Sequence, residues 1–225
     1  MNKLNHVAFI MDGNGRWGKK RNKSRNFGHL NGVKTVQKVV KSSIKLNIPI
    51  ITFYVFSTEN WKRPKSEINF LFRLINSYFN KEINNVIKNN IKINIIGNTT
   101  GLPLKLKKIL KNAMQKTIDN KKLIINLAIN YGSRTEITDS YKKIKNKKIP
   151  ISERSIKANL YTKNLVDPDI LIRTGGKKRL SNFMLWQLAY TELYFIKKLW
   201  PDFKENDLKK IIKEFKIIKR NFGGI

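Results

Sequence analysis

Cysteine is absent from the 225 residues, which removes thiol nucleophiles, cysteine-based zinc sites and structural disulfides from consideration. Without a covalent staple the chain must rest on its own apolar core, and its length suffices for one domain, expected to span 1–225. Acidic side chains are scarce, 15 against 47 lysines and arginines, for a formal net charge of +32. No apolar run approaches the roughly 18 residues that span a bilayer. The start, "MNKLNHVAF", enters a strand pattern before a secretion signal could develop, so the expected location is cytoplasmic.

A charge of +32 ordinarily points to nucleic acid, an anionic membrane or a phosphorylated substrate. Here lysine, asparagine and isoleucine recur everywhere, in "KNNIKINIIGN" and "KKIKNKKIP" alike, as an AT-biased coding sequence would produce. Arginine is placed more selectively, and its rigid fork suits phosphate oxygens. A single-strand nucleic-acid binder needs a basic groove with stacking aromatics. Most aromatics here fall inside apolar patterns, so no nucleic-acid partner is expected.

Short apolar, β-rich runs recur at 6–11, 48–57, 91–97, 123–131, 169–174 and 192–196. Several are nearly continuous in apolar residues, as strands covered on both faces are. Helical spacing lies between them, for instance at Val33, Val36, Val40 and Ile44, and at Ile109, Ala113 and Thr117. This alternation predicts an α/β fold with a mainly parallel central sheet flanked by helices. The most loop-like stretch is the basic segment around 142–155. In "SEINFLFRLINSYFNKEINNVI" (66–87), Ile68, Leu71, Phe72, Ile75, Phe79, Ile83 and Val86 form one stripe for packing on the sheet. Phe70, Leu74 and Tyr78 form a second. Burial on two sides, a dimer contact and the wall of an apolar tunnel all fit that spare stripe.

"HVAFIMDGNGRWGKKR" (6–21) spells G-x-G-x-x-G with Gly13, Gly15 and Gly18 after a strand. A dinucleotide fingerprint also needs a helix opening in the turn and an acidic residue about 20 positions on. The basic run "KKRNKSRN" has no apolar face for a helix packed on the sheet, and the next acidic residue after Asp12 is Glu59. A nicotinamide-type reading therefore fails. What remains is Asp12 at a strand's C-terminal end, where open α/β sheets bind ligands. With Arg16 and Arg25 nearby, a Mg²⁺-bound phosphate and an ordinary loop salt bridge both fit.

Two further strand ends carry similar clusters. "FSTENWKRP" gathers Ser57, Thr58, Glu59, Asn60, Trp61 and Arg63, and "DILIRTGGKKRLS" places Arg173, Arg179 and Ser181 within nine residues. Two arginines and a hydroxyl so spaced suit a diphosphate.

The segments "HVAFIMDGNGRWGKKR", "FGHLNG", "FYVFSTENWKRP", "NYGSR", "DILIRTGGKKRLSNFMLWQLAYTELYF" and "LWPDF" resemble, in order and spacing, the cis-prenyltransferases, most closely the bacterial undecaprenyl diphosphate synthases. The resemblance runs from about residue 6 to the final "RNFGG". It implies a homodimeric, Mg²⁺-dependent enzyme that condenses isopentenyl diphosphate onto farnesyl diphosphate with Z geometry. The implied product is about eleven isoprene units long, the lipid-carrier precursor of cell-wall synthesis. It further implies that Asp12 is the essential metal carboxylate, with Glu192 a second. Gly15, Arg16, Arg25 and His29 would hold the allylic diphosphate, with Asn14 and Trp17 completing that turn and Gly13 among its substrate-binding residues, and Arg173, Arg179 and Ser181 would hold isopentenyl diphosphate. Ser57 to Arg63 would form a closing loop with Asn60 among the catalytic residues. Arg220, Gly223 and Gly224 would reach the partner subunit's site. Val55 and Leu123 are further candidate tunnel contacts, and a greasy product suggests peripheral contact with an anionic membrane.

The D-D-x-x-D run of trans-prenyltransferases is absent. One departure from many bacterial members is Lys177-Lys178 after "RTGG", where acidic or polar residues are common; no role transfers to these two lysines. His6, at a strand start, reads as structural. An inactive accessory subunit is disfavoured by the presence of Asp12, Arg16, Arg173 and Arg179.

Overall fold

The computed structural model describes residues 2–221, so Gly223 and Gly224 lie outside the described residues. Six strands form one sheet: β1 (His6–Ile10), β2 (Ile50–Ser57), β3 (Ile91–Ile96), β4 (Leu123–Tyr131), β5 (Ile170–Arg173) and β6 (Glu192–Phe195). All five pairings are parallel, in the order β3-β4-β2-β1-β5-β6. β1 and β5 are buried along their whole length, which is why "HVAFI" and "ILIR" read as unbroken runs rather than alternating ones. Each run read from the sequence corresponds to one strand, with ends that differ by no more than two residues.

The helices are α1 (Asn14–Lys19), α2 (Arg25–Lys45), α3 (Lys65–Lys88), α4 (Leu104–Lys116), α5 (Ser133–Asn146), α6 (Glu153–Asn159) and α7 (Glu205–Ile217). One face of the sheet carries the larger core, in which Phe9, Phe53, Phe56, Val39, Phe72, Leu106, Trp200 and Leu208 meet from β1, β2, α2, α3, α4 and the chain before and within α7. The other face is closed by Phe183, Met184 and Leu188, from the segment between β5 and β6, packing on Ala8, Ala128, Tyr131 and Leu171.

Two expectations are corrected. A short helix, α1, does open in the glycine turn. It needs no apolar stripe because it packs on α2 through glycines: a Cβ on Gly28 would sit 1.8 Å from the Asn14 carbonyl oxygen, and one on Gly18 would sit 2.2 Å from that of Ser24. These glycines are consumed by helix–helix approach, so the dinucleotide reading still fails. The basic segment 142–155 is partly helical, since α5 runs to Asn146 and α6 starts at Glu153 behind the Ser152 cap.

The topology fixes where a site forms. From β1 the chain moves to β2 on one side of the sheet, and after β4 it crosses to β5 on the other. The crevice beyond the C-terminal ends of β1 and β5 is therefore a topological switch point, the usual ligand position in open α/β sheets.

Candidate active site

Asp12 follows β1 and Arg173 ends β5, in adjacent parallel strands, so backbone register alone brings them together. The Asp12 main chain is pinned from two directions: its carbonyl accepts from Thr174 Oγ1 at 2.7 Å and from the Trp200 N–H at 3.1 Å. Its carboxylate accepts from Arg173 Nη2 at 2.8 Å and from Arg16 Nη2 at 3.1 Å. Arg173 is buried, and its Nη1 also donates to Ser181 Oγ at 2.7 Å and to the Arg179 carbonyl at 2.6 Å. Its Nε is buried without a partner. A buried guanidinium with a spare donor beside a partly exposed carboxylate is suited to an incoming anion.

This pair lies in a polar cleft of about 610 Å³ that also takes in Asn14 and His29 from the α1–α2 side and Ser57, Glu59, Asn60 and Arg63 from the end of β2. Arg179 and Ser181 complete the sequence-derived residues in its lining. The loop after β2 is a 3-10 turn, Thr58–Lys62, in which Asn60 Oδ1 accepts from the Ser57 N–H at 3.2 Å. Burial opposes ionisation of Glu59, but hydrogen bonds from Asn182, its own backbone, Ser57 and Thr58 outweigh it and hold the carboxyl below its ordinary range.

Other expected residues stand behind the cleft rather than in its lining. Gly13 has φ 110° and packs against Leu199, where a Cβ would come within 2.8 Å of the side chain. Gly15 lies under the Arg25 guanidinium, which a Cβ would meet at 2.7 Å. Trp17 turns away: its indole donates to Asp202 Oδ1 at 2.7 Å, and the ring stacks on Phe27. Trp61 donates to Asn130 Oδ1 at 2.7 Å and packs on Phe56 and Phe72. Thr58 lies against Gly132. Lys177 and Lys178 are exposed beyond the Gly175-Gly176 turn.

Glu192 is not brought to Asp12 within the chain. It pairs with Ile170 at the start of β5, level with Val7 of β1, whereas Asp12 lies five residues further along, about 16 Å at a strand's rise per residue. Its neighbour is Arg220, Nε to Oε1 3.6 Å. Among the described residues no group of three or more His, Cys, Asp or Glu side chains is placed to hold a metal. Asp12 alone is still compatible with Mg²⁺, a hard cation that keeps several waters and takes one or two carboxylates plus substrate phosphates.

Three residues were missed by sequence reading. Glu67, in the first turn of α3, is mostly buried and accepts from Arg25 at 3.0 and 3.2 Å and from Arg63 at 3.0 Å, with His29 Nε2 at 3.3 Å. Burial opposes its ionisation, and the two arginines and His29 overcome this and lower its pKa. Burial, with Arg63 adding to it, lowers the pKa of His29 against the pull of Glu67, which favours the neutral imidazole. Its spacing of four from Arg63 was the available signal for Glu67. Arg134 and Asn182 also line the cleft; Arg134 belongs to the quoted "NYGSR", while nothing in the sequence distinguishes Asn182.

Below the cleft, between α2, α3 and the sheet, lies an apolar cavity of about 130 Å³. Met11, Asn14, His29, Val55 and Leu71 are shared by both. Leu74 and Tyr78 of the spare stripe line it, Phe70 does not, and Leu123 is core. The cavity continues past Val36, Tyr78, Phe79 and Leu127 into a groove of about 460 Å³ that reaches Ile44, Asn89 and Ile91.

A family model described as putative undecaprenyl diphosphate synthase matches residues 10–223. The isoprenyl transferase of Oceanobacillus iheyensis is 45% identical over 227 residues, covering 98% of this chain and 90% of that protein. That of Fusobacterium nucleatum is 43% identical over 221 residues, covering 98% and 96%. Among solved structures, a probable undecaprenyl diphosphate synthase from Campylobacter jejuni superposes with a TM-score of 0.86 at 38% identity over 100% of both chains. Lavandulyl diphosphate synthase from Lavandula x intermedia, in complex with dimethylallyl diphosphate, gives 0.94 at 34% identity over 98% of each. Similarity of this extent, along the whole described fold, makes the chain a cis-prenyltransferase of the undecaprenyl diphosphate synthase family.

Proposed function

We propose that this cis-prenyltransferase condenses isopentenyl diphosphate repeatedly onto farnesyl diphosphate and releases a product of undecaprenyl length. The observation that carries the reading is continuity: an arginine-bearing polar cleft shares walls with an apolar cavity, which in turn shares walls with a further groove. One end recognises a diphosphate and the other a hydrocarbon. The lavandulyl enzyme's complex with dimethylallyl diphosphate supports an allylic diphosphate as the substrate class.

In each cycle the allylic C1–O bond breaks and diphosphate departs, the isopentenyl double bond attacks C1, and a proton leaves the isopentenyl unit. Mg²⁺, held by Asp12 and the diphosphate oxygens, would supply positive charge that stabilises the departing group. Arg16 is the exposed partner of Asp12, and an exposed ion pair is released at little cost, so its guanidinium can turn to a diphosphate. Asn14 and His29 stand at the junction of cleft and cavity, where the allylic diphosphate meets its own chain, and Gly15 lies behind them under the Arg25 guanidinium. Arg25 and Arg63 are oriented toward the same end by Glu67. Arg173, Arg179 and Ser181 form the isopentenyl end, the unpartnered Nε of Arg173 being the donor held ready. Asn60, with its carbonyl committed to the Ser57 N–H, presents its amide toward the condensing unit and orients the proton that leaves. Gly13, Trp17, Thr58 and Trp61 shape and brace these turns. Glu192 fits a metal role only if a second subunit supplies it, in a homodimer.

Purified protein incubated with farnesyl diphosphate, labelled isopentenyl diphosphate and Mg²⁺ is expected to give a ladder of products ending near eleven units, and chelation is expected to abolish it. A ladder that stops early would overturn the assigned length, and no extension would overturn the reaction.

A further inference from the structure

Between β5 and β6 the backbone takes left-handed conformations at Ser181 (φ 52°), Asn182 (62°) and Met184 (47°). Non-glycine residues rarely adopt these, and a run of them persists only where surrounding bonds over-determine it. The bonds converge on Asn182. Its main-chain oxygen accepts from the Ser133 N–H at 2.8 Å, and its Oδ1 accepts from the Arg134 N–H at 2.9 Å, both at the start of α5. Its Nδ2 donates to Glu59 Oε1 at 2.7 Å, in the turn after β2. One side-chain amide thus ties together three strand-end segments that are far apart in sequence.

Both ends of that tie touch the cleft. The residue before Asn182 is Ser181, whose hydroxyl receives Arg173 Nη1, so the twist at 181–182 sets where the Ser181–Arg173 pair stands. On the other side Glu59 belongs to the same turn as Asn60 and Arg63, and its bond to Asn182 helps keep it ionised. The carbonyl and the amino group of the Asn182 amide are each engaged in one of these bonds.

We propose that Asn182 is a positioning residue that couples the Ser181–Arg173 end of the cleft to the Glu59-bearing turn, so that isopentenyl diphosphate bound at one draws the other into place. This rests on reading that end of the cleft as the isopentenyl diphosphate site. A flexible link between the segments would let each sample its own positions; a single amide with both functions engaged makes their positions interdependent. The coupling acts on the second substrate and spares the allylic one, because Asn182 has no bond to Asn14, His29 or Arg25 among the described contacts, and the Arg63 guanidinium is anchored separately on Glu67 of α3 at 3.0 Å.

Calorimetric titration with isopentenyl diphosphate, alongside farnesyl diphosphate, tests this in the Mg²⁺-loaded full chain. Asn182→Gly keeps the left-handed backbone at no steric cost and removes only the amide, so it separates conformation from bonding. Losing a hydrogen bond to a charged group predicts roughly tenfold weaker isopentenyl diphosphate binding, with farnesyl diphosphate binding unchanged. Wild-type affinity in Asn182→Gly would overturn the proposal, as would an equal loss for both ligands. In a cycle with Glu59→Ala, Asn182→Gly is expected to add little further loss; full additivity would overturn the coupling. Asn182→Asp sets a second carboxylate against Glu59, so binding should be weak at neutral pH and recover as the pH falls and the pair takes up a proton, a profile that a purely structural role would not give. Failure of the unaltered chain to bind isopentenyl diphosphate at all would remove the substrate reading itself, which is a distinguishable result.

Discussion

Asp12 is held between one buried and one exposed arginine, and the asymmetry predicts what its loss does. Asp12→Ala removes the carboxylate proposed to hold Mg²⁺, and kcat is expected to fall by about 10² to 10³, the scale found when one electrostatic stabiliser of a transition state is deleted. The fold should persist, because Arg173 keeps Ser181 and the Arg179 carbonyl; a thermal melt that shows Asp12→Ala unfolded where the parent is folded would contradict a catalytic assignment. His6, the other histidine, is wholly buried: Nδ1 bonds the Val166 carbonyl and Nε2 meets Thr52 Oγ1. Burial outweighs the attraction of Asp169 and Asp167 and lowers its pKa from 6.5 to about 4. The unfolded chain therefore binds the proton more readily, so this stability is complete above pH 6.5 and drains as the pH falls toward 4, up to about 3 kcal/mol. Melts across that window should show a falling Tm, and His6→Gln should flatten the fall; an unchanged slope would refute the assignment.

Helix α3 serves two partners. Ile68, Phe72 and Val86 are buried in the core, while Leu74 and Tyr78 of the spare stripe, with Leu71, Ile75 and Phe79 of the other, line the cavity. Its first turn supplies Glu67, so the same element aligns the cations above and walls the cavity below. Replacing Leu74 with Trp should fill space beside Val55 and Leu127 and shorten the main product by several isoprene units, with the first condensation little changed. The product ladder reads this directly, and an unaltered ladder would place the growing chain elsewhere. The helix pair α1–α2 shows the reverse economy: Gly18 and Gly28 contribute no side chains and instead let two backbones meet, which brings Asn14 and His29 to the cleft's edge.

At the scale of the molecule, the sheet's change of direction between β1 and β5 gathers Asp12, Arg173 and the β2 turn at one edge, while the apolar cavity runs away from that edge between α2 and α3. Among the described residues no helix is long and apolar enough to cross a membrane. A net charge of +32 and a hydrocarbon product together predict surface attachment to anionic bilayers. Sedimentation with phosphatidylglycerol vesicles should exceed that with phosphatidylcholine vesicles and weaken between about 0.05 and 0.5 M salt as screening shortens the reach of surface charge. Salt-independent binding would point instead to insertion of apolar side chains.

The strands and the strand-end clusters were legible in the sequence because a doubly covered parallel strand must be continuously apolar and the cleft's charged residues follow such runs directly. The motifs from "HVAFIMDGNGRWGKKR" to "LWPDF" carried the family. Tertiary structure alone decided the rest. It showed Gly18 and Gly28 to be packing glycines, turned Trp17 and Trp61 away from the cleft, separated Glu192 from Asp12, and joined Glu67 and Asn182 to residues 42 and 123 positions distant. Periodicity and local spacing report what a residue does within its own element. Which side chain meets which across elements depends on strand register, helix approach and the satisfaction of buried polar groups, and these are properties of the folded chain as a whole.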